Sequence, residues 1–139
     1  MSDKLEAKTL AAQCGVLVLP AMERPSSNID DIRTFVDEMG AYPIMIKAVD
    51  GGGGRGIRLV HTAEELPNAL ERAQGESPSK TVFAEKAAVN EFRHVEVQIV
   101  GDGSGEIMHV WERDCSVQRR FQKIVEVAPA TIGDRALID

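Results

Sequence analysis

Five glycines in six positions, Gly51-Gly52-Gly53-Gly54-Arg55-Gly56, form the stretch of the sequence best suited to chemistry. Glycine adds no Cβ and tolerates backbone conformations in which successive amides point at one anion, so such a run can close over phosphate groups. Ordering it costs much conformational entropy, a cost that a bound ligand would offset. Two familiar phosphate loops are excluded by context. The run contains G-x-G-x-x-G, but the dinucleotide arrangement needs a strand before it and a helix after it. Here Ile57-Arg58-Leu59-Val60 follows, which alternates as a strand. The P-loop needs a lysine where Ile57 stands. What remains is a glycine-rich turn between two strands, a flap; the alternative is a hairpin tip with no ligand.

Lys47 interrupts the apolar run Ile44-Met45-Ile46-Lys47-Ala48-Val49 on the strand entering that flap. A charge buried there is costly without a partner, so its ammonium is expected to reach the same phosphates. A lysine snorkelling from an edge strand is the other reading. Arg55, Arg58, Arg113, Arg119, Arg120 and Lys123 form local basic clusters, for which an ordinary solvated surface is the alternative.

The elements that must position these groups belong to a chain of 139 residues, 43% hydrophobic and 27% charged, enough for one domain or two lobes sharing a core. A net charge of −6 argues against generic nucleic-acid binding, so any anion site is local. No apolar stretch approaches the roughly 20 residues that span a bilayer, which argues against a membrane protein. The start, Met1-Ser2-Asp3-Lys4-Leu5-Glu6, lacks the pattern of a signal peptide. Cys14 and Cys115 form no metal or disulfide pattern, so a reducing compartment is expected: the cytoplasm, or the mitochondrial matrix for a piece of a larger precursor.

Along the chain, Leu5 to Cys14 reads as a helix stopped by Gly15, and Val16 to Leu19 as a short strand ended by Pro20. Ser27 is expected to cap a second helix carrying Ile29, Ile32, Val36 and Met39, closed by Gly40. Pro43 to Val49 and Ile57 to Val60 flank the glycine run as strands. Thr62 and Glu65 resemble a capping box for a helix to about Gln74, although Pro67 implies a late start or a bend. A polar loop from Gly75 to Lys80 precedes a strand from Thr81 to Glu85. Val95, Val97 and Ile99 alternate as a strand, and Gly101 to Gly105 turn the chain into a partner strand, Glu106 to Glu112. Arg113 to Arg120 reads as a basic loop before a last strand, Lys123 to Val127; the final ten residues read as the entry to a helix. The pattern is α+β.

Several strings resemble the biotin carboxylase family, the ATP-grasp component of the acetyl-CoA, propionyl-CoA, pyruvate and urea carboxylases. They are Ile46-Lys47-Ala48, the glycine run with Arg55-Gly56-Ile57-Arg58, Glu85-Lys86, Arg93-His94-Val95-Glu96-Val97-Gln98, and Glu112-Arg113-Asp114-Cys115-Ser116-Val117-Gln118-Arg119-Arg120 with Gln122-Lys123. Order and spacing agree from Asp3-Lys4 to Ala128-Pro129, and the E-R-D-C-S-x-Q-R-R string is highly specific. The resemblance implies an ATP-grasp lid subdomain with a glycine-rich β-hairpin flap, followed by a partial antiparallel sheet of the C-terminal lobe. Residues 1–20 would be a linker helix and short strand, 21–86 the lid, and 87–139 the partial sheet.

It also implies the reaction: MgATP activates bicarbonate, and biotin is carboxylated. By motif, Lys4 and Lys47 would hold the ATP phosphates, with Gly51, Gly52, Gly53, Gly54, Arg55 and Gly56 closing over them. Glu85, Lys86 and Ala87 would form the hinge at the adenine edge. His94 and Gln118 would lie near ribose and phosphates, and Lys123 near the γ-phosphate and bicarbonate as the catalytic residue. The family's metal-binding glutamates, bicarbonate-binding arginine and biotin site fall beyond Asp139, so no metal ligand is assigned here. Phe121 replaces the usual histidine and cannot hydrogen-bond a nucleotide, and Ala87 and Ala88 replace larger residues, which opens the adenine pocket. His61 and His109 match no motif and are expected to be structural; Cys115 is expected to pack rather than react. Partners implied are ATP, the remaining carboxylase lobes and a biotin carrier domain. The strands at Val95–Ile99, Ile107–Val110 and Ile124–Val127 would self-associate if left open. The alternative function is a non-catalytic interaction module that reuses the fold.

Overall fold

The structure, a computed structural model, describes residues 4–51, 54–90 and 92–133. The chain divides into two compact units, Met1–Ala88 and Val89–Asp139. Each carries a three-stranded antiparallel sheet, which makes the fold α+β as expected.

In the first unit, β1 (Ile44–Ala48) lies between β2 (Ile57–Val60) and β3 (Val82–Lys86). Alternation along β1 sends Ile44, Ile46 and Ala48 to a buried face and Met45 and Lys47 to the other. On the buried face lie α2 (Ile29–Met39) and α3 (Leu66–Gly75). Ile32 and Val36 from α2, and Leu66, Ala69, Leu70 and Ala73 from α3, pack with Ile44, Ile46, Val60, Val82 and Ala84 as one core. On α2 the expected helical spacing and the closing glycine hold: Gly40 takes φ 75° and donates to Val36 O. The cap falls one residue later than expected. Asn28, not Ser27, accepts from the Asp30 amide at 3.0 Å, while Ser26 Oγ accepts from the Asn28 amide at 2.9 Å.

Two further expectations for this unit need correction. Val16 to Leu19 is not a strand, because the chain pairs only further on. Pro20 O accepts from the Lys86 amide (2.8 Å), and Ser26 and Val82 exchange backbone bonds of 2.8 and 2.9 Å, so the 20–26 segment borders β3 and leaves Leu17 wholly exposed. Thr62 makes no side-chain cap. A 3-10 turn, Ala63–Glu65, comes first, and α3 starts at Leu66 so that Pro67 falls in its first turn, where a missing amide costs nothing. Glu65 instead accepts from the His61 amide at 2.8 Å.

α1 (Lys4–Gln13) ends before Gly15, whose φ is 77°, close to expectation. It buries only Leu5; its Lys4 reaches Gly51 O, just past the end of β1, and its Lys8 reaches Glu85 of β3 on the sheet face opposite α2 and α3.

In the second unit, β5 (Ile107–Arg119) runs between β4 (Val95–Gly101) and β6 (Gln122–Val127). The expected basic loop at Arg113 to Arg120 is instead, as far as Arg119, the second half of β5. Its residues pair with β4 as far as Asp114 and with β6 from Asp114 to Arg119, and side-chain ion pairs across the ladder neutralise the arginine there. Arg120 and Phe121 both take positive φ (52° and 63°), the two-residue link that suits the twist of a hairpin. The final ten residues show no helix over 130–133, and 134–139 lie outside the described residues. Among the described residues, no helix is long and apolar enough to cross a membrane.

Gly56 tests the packing at the mouth of the glycine run. Its φ is 72°, and a Cβ added there would lie 2.5 Å from the Ala48 Cβ. Gly56→Ala is therefore expected to destabilise the first unit by about 2 kcal/mol or more, read as a lower urea midpoint. An unchanged midpoint would contradict the packing described.

Candidate functional site

The first unit gathers charge on the second face of its sheet. Lys47 and Glu85 share that face, because Met45 pairs with Glu85 across the ladder and Lys47 lies two residues on. Glu85 is 5% exposed. Lys47 is ion-paired to its Oε1, and Lys8 Nζ lies 2.6 Å from Oε2, an ion pair without good hydrogen-bond geometry. Burial pushes the Glu85 carboxyl up, but the bonds and charges of Lys47 and Lys8 outweigh it, so the group titrates below its usual 4.5. Lys4, one turn before Lys8 on α1, donates to Gly51 O at 2.6 Å. The structure thus brings Lys4 to the start of the glycine run and Lys47 to the strand that leads into it. The amides expected to meet the adenine edge are used within the fold: Lys86 donates to Pro20 O and Ala87 to Pro43 O, at 2.8 and 3.1 Å.

Both stems of the glycine run are tied to the connection between α3 and β3. Asp50 accepts from Ser77 Oγ at 3.2 Å and from the Ser79 amide at 3.0 Å. Gly56 donates to Glu76 Oε2 at 2.5 Å, and Arg58 pairs with the same carboxylate. These bonds hold Asp50, through Ser79 first, and Glu76, through Arg58 first, below the ordinary carboxylate range. Gly51 donates to Ala48 O at 3.3 Å. Its own added Cβ would meet Arg55 O at 2.7 Å, so the run folds tightly back on its stem. Gly54 sits at φ 77° in the turn with Arg55, and the expected contributions of Gly52 and Gly53 lie outside the described residues.

In the second unit, Glu96 is the hub. His94 lies 3.0 Å from its Oε1; Lys123 and Arg113 reach Oε2 at 2.5 and 3.3 Å, and Arg113 also holds Glu126 at 2.6 Å. Lys123 above all holds the Glu96 carboxyl low, and Glu96 in turn raises the Lys123 ammonium. Gln118 Nε2 donates to Cys115 O at 2.9 Å. Cys115 is fully buried, and that burial pushes its thiol up, in keeping with a packing role. His61 and His109, expected to be structural, are exposed, so neither serves the core. Among the described residues no cluster of His, Cys, Asp or Glu could hold a metal ion.

Sequence reasoning passed over Lys8, Glu76 and Glu96. Lys8 follows Lys4 by four residues, and Glu96 follows His94 by two in a strand, spacings that put each pair on one face. Glu76 carried no local signal, since its partners Gly56 and Arg58 are far off in sequence.

Comparison with known proteins identifies the family. The pattern described as "Carbamoyl-phosphate synthase L chain, ATP binding domain" matches residues 3–137, and the chain belongs to this family of ATP-binding domains, within its ATP-grasp biotin carboxylase branch. Pyruvate carboxylase of Aspergillus terreus is 45% identical over 148 residues, covering 100% of this chain and 12% of that protein. Mitochondrial pyruvate carboxylase of Mus musculus is 47% identical over 141 residues, covering 99% and 12%. The crystal structure of a biotin carboxylase–βγ-ATP complex from Campylobacter jejuni superposes with a TM-score of 0.85 at 38% identity, covering 100% of this chain and 30% of that one. The chain therefore spans about 12% of the length of the curated relatives it matches.

The charge set around Glu85 predicts a pH signature. Because its folded pKa is lowered, its contribution to stability is full above 4.5 and fades as pH falls through the lowered value. Glu85→Gln should lower the thermal midpoint at neutral pH, and the gap to the parent chain should narrow steadily below about pH 4. A gap constant from pH 7 to pH 3 would rule out the ionised, doubly paired state.

Proposed function

We propose that this chain is the ATP-binding segment of a biotin-dependent carboxylase, where MgATP activates bicarbonate and biotin is carboxylated. The observation that carries the reading is the placement of Lys4 at the base of the glycine run and of Lys47 on the strand that enters it. Phosphoryl transfer asks a protein mainly for charge neutralisation and positioning, and two ammonium groups beside a side-chain-poor loop supply both. Lys4 and Lys47 bind the phosphate tail. The run from Gly51 to Gly56 closes over it with its interior amides, its two ends being anchored by Asp50 and Glu76. Glu85, Lys86 and Ala87 flank the adenine. His94 and Gln118 serve the ribose and phosphates, and Lys123, kept protonated by Glu96, serves the γ-phosphate and bicarbonate. Bound magnesium would share the phosphate charge; among the described residues no carboxylate or histidine cluster is built to hold it. Residues 21–86 act as the lid, after a linker over 1–20, and 87–139 as part of the C-terminal sheet. The division of the chain after Ala88 lies two residues from the proposed end of the lid, and residues 1–20 fall within the same unit as the lid.

Calorimetric titration tests the reading. The chain should bind MgATP saturably, and Lys47→Ala should weaken binding about ten-fold or more, the worth of one charge-assisted bond. Equal affinity in the variant would falsify the role of Lys47.

The second unit presents a broad apolar surface. Val97, Ile99, Ile107, Met108, Ile124 and Val127 are each at least half exposed, along strands with open edges. In the complete carboxylase the remaining lobe, and a biotin carrier domain beyond it, are the partners we assign. For the chain alone we expect self-association through these strands, seen in sedimentation velocity as a weight-average mass that rises with concentration. A monomer throughout the micromolar range would refute it.

A further inference from the structure

Lys8 has no part in the assignments above, yet it meets the most deeply buried charge of the first unit. Its Nζ sits 2.6 Å from Glu85 Oε2 while Lys47 holds Oε1, and the Glu85 side chain is only 7% exposed. Two ammonium groups thus face one buried carboxylate, where one would neutralise it. The surplus matters when a polyanion arrives. Removing the sole partner of a buried carboxylate is strongly unfavourable, since it strands an uncompensated charge away from water. A lysine paired alone with Glu85 would therefore resist transfer to a phosphate. Lys8 is fixed where it stands, because its ammonium also lies 3.3 Å from Leu19 O.

We propose that Lys8 is a positioning residue that keeps Glu85 compensated, so that Lys47 can leave the carboxylate for a nucleotide phosphate. The inference rests on the reading of Lys47 as a phosphate ligand. In the nucleotide-free chain Glu85 is shared by Lys8 and Lys47. With nucleotide bound, Lys8 keeps Glu85 and Lys47 turns to the phosphate, so no proton need be taken up. Without Lys8, Lys47 either stays on Glu85, and the nucleotide binds weakly, or leaves, and the stranded carboxylate takes a proton from solvent. The charged groups that face Glu85 among the described residues are Lys8 from α1 and Lys47 from β1, so the outcome depends on these two.

The test compares the full chain with Lys8→Met and Lys8→Arg in two measurements; Lys8→Gln, which can still bond Leu19 O, replaces Lys8→Met should that variant not fold. First, without nucleotide, the Glu85 side-chain carboxyl is titrated by carbon-13 NMR. Its midpoint should rise in Lys8→Met and return towards the parent value in Lys8→Arg; an unchanged midpoint overturns the inference whether or not nucleotide binds. Second, MgATP is titrated by calorimetry at about pH 6 in buffers of different ionisation enthalpy. The parent chain and Lys8→Arg should bind without proton uptake, and Lys8→Met either roughly ten-fold more weakly or with uptake of a proton. Binding by Lys8→Met at parent affinity and without uptake overturns the handover. A parent chain that binds no MgATP refutes the nucleotide reading and the handover with it, while the carboxyl titration still decides whether Lys8 compensates Glu85.

Discussion

A carboxylate removed from water beneath two ammonium groups organises the first unit. Glu85 is the next-to-last residue of β3, Val82, Phe83 and Ala84 before it are all but inaccessible, and a charge at that position is tolerable only with partners close by. One partner comes from the adjacent strand and the other from a helix nearly eighty positions earlier in the chain. The ion pairs therefore hold α1 against a sheet face that its single buried leucine would hold poorly. They also place Lys4, one turn before Lys8, at the carbonyl where the glycine run begins.

The glycine run depends on a different constraint. A chain so rich in glycine resists being ordered in one shape, and here its two ends are pinned. Asp50 and Glu76 tie the two stems to the connection between α3 and β3, and the close packing of Gly56 on Ala48 leaves no room for a side chain. Anchored stems limit the entropy that the run loses when it is ordered.

The second unit shows how charge can disguise a strand. Read in sequence, Arg113 to Arg120 carries three arginines and little apolar alternation, which suggested a loop. In the fold these residues occupy a ladder between two other strands, where Glu96 and Glu126 neutralise Arg113, and Asp114 pairs with Arg93. The bulges between Asp114 and Gln118 record the misfit of such residues to a regular ladder. β-Propensity reflects the surroundings of a strand as much as its composition, and those surroundings come from residues twenty positions away.

Much of the protein was nonetheless legible from its residues. The helical spacing of Ile29, Ile32, Val36 and Met39, the glycine after it, the strands either side of the glycine run and the lone lysine in an apolar strand all have local causes, so sequence alone determined them. The E-R-D-C-S-x-Q-R-R string likewise sufficed to reveal kinship with the ATP-binding domains of biotin carboxylases. Tertiary structure alone decided which groups meet: that Lys47 is shared with Lys8 through Glu85, that Glu76 closes on Gly56, that His94 and Lys123 converge on Glu96, and that the 20–26 segment rather than Val16 to Leu19 borders β3. Each of these contacts joins residues far apart in sequence, or chooses one partner among several with equal local propensity. Burial and charge compensation, which exist only once the chain has closed, make that choice.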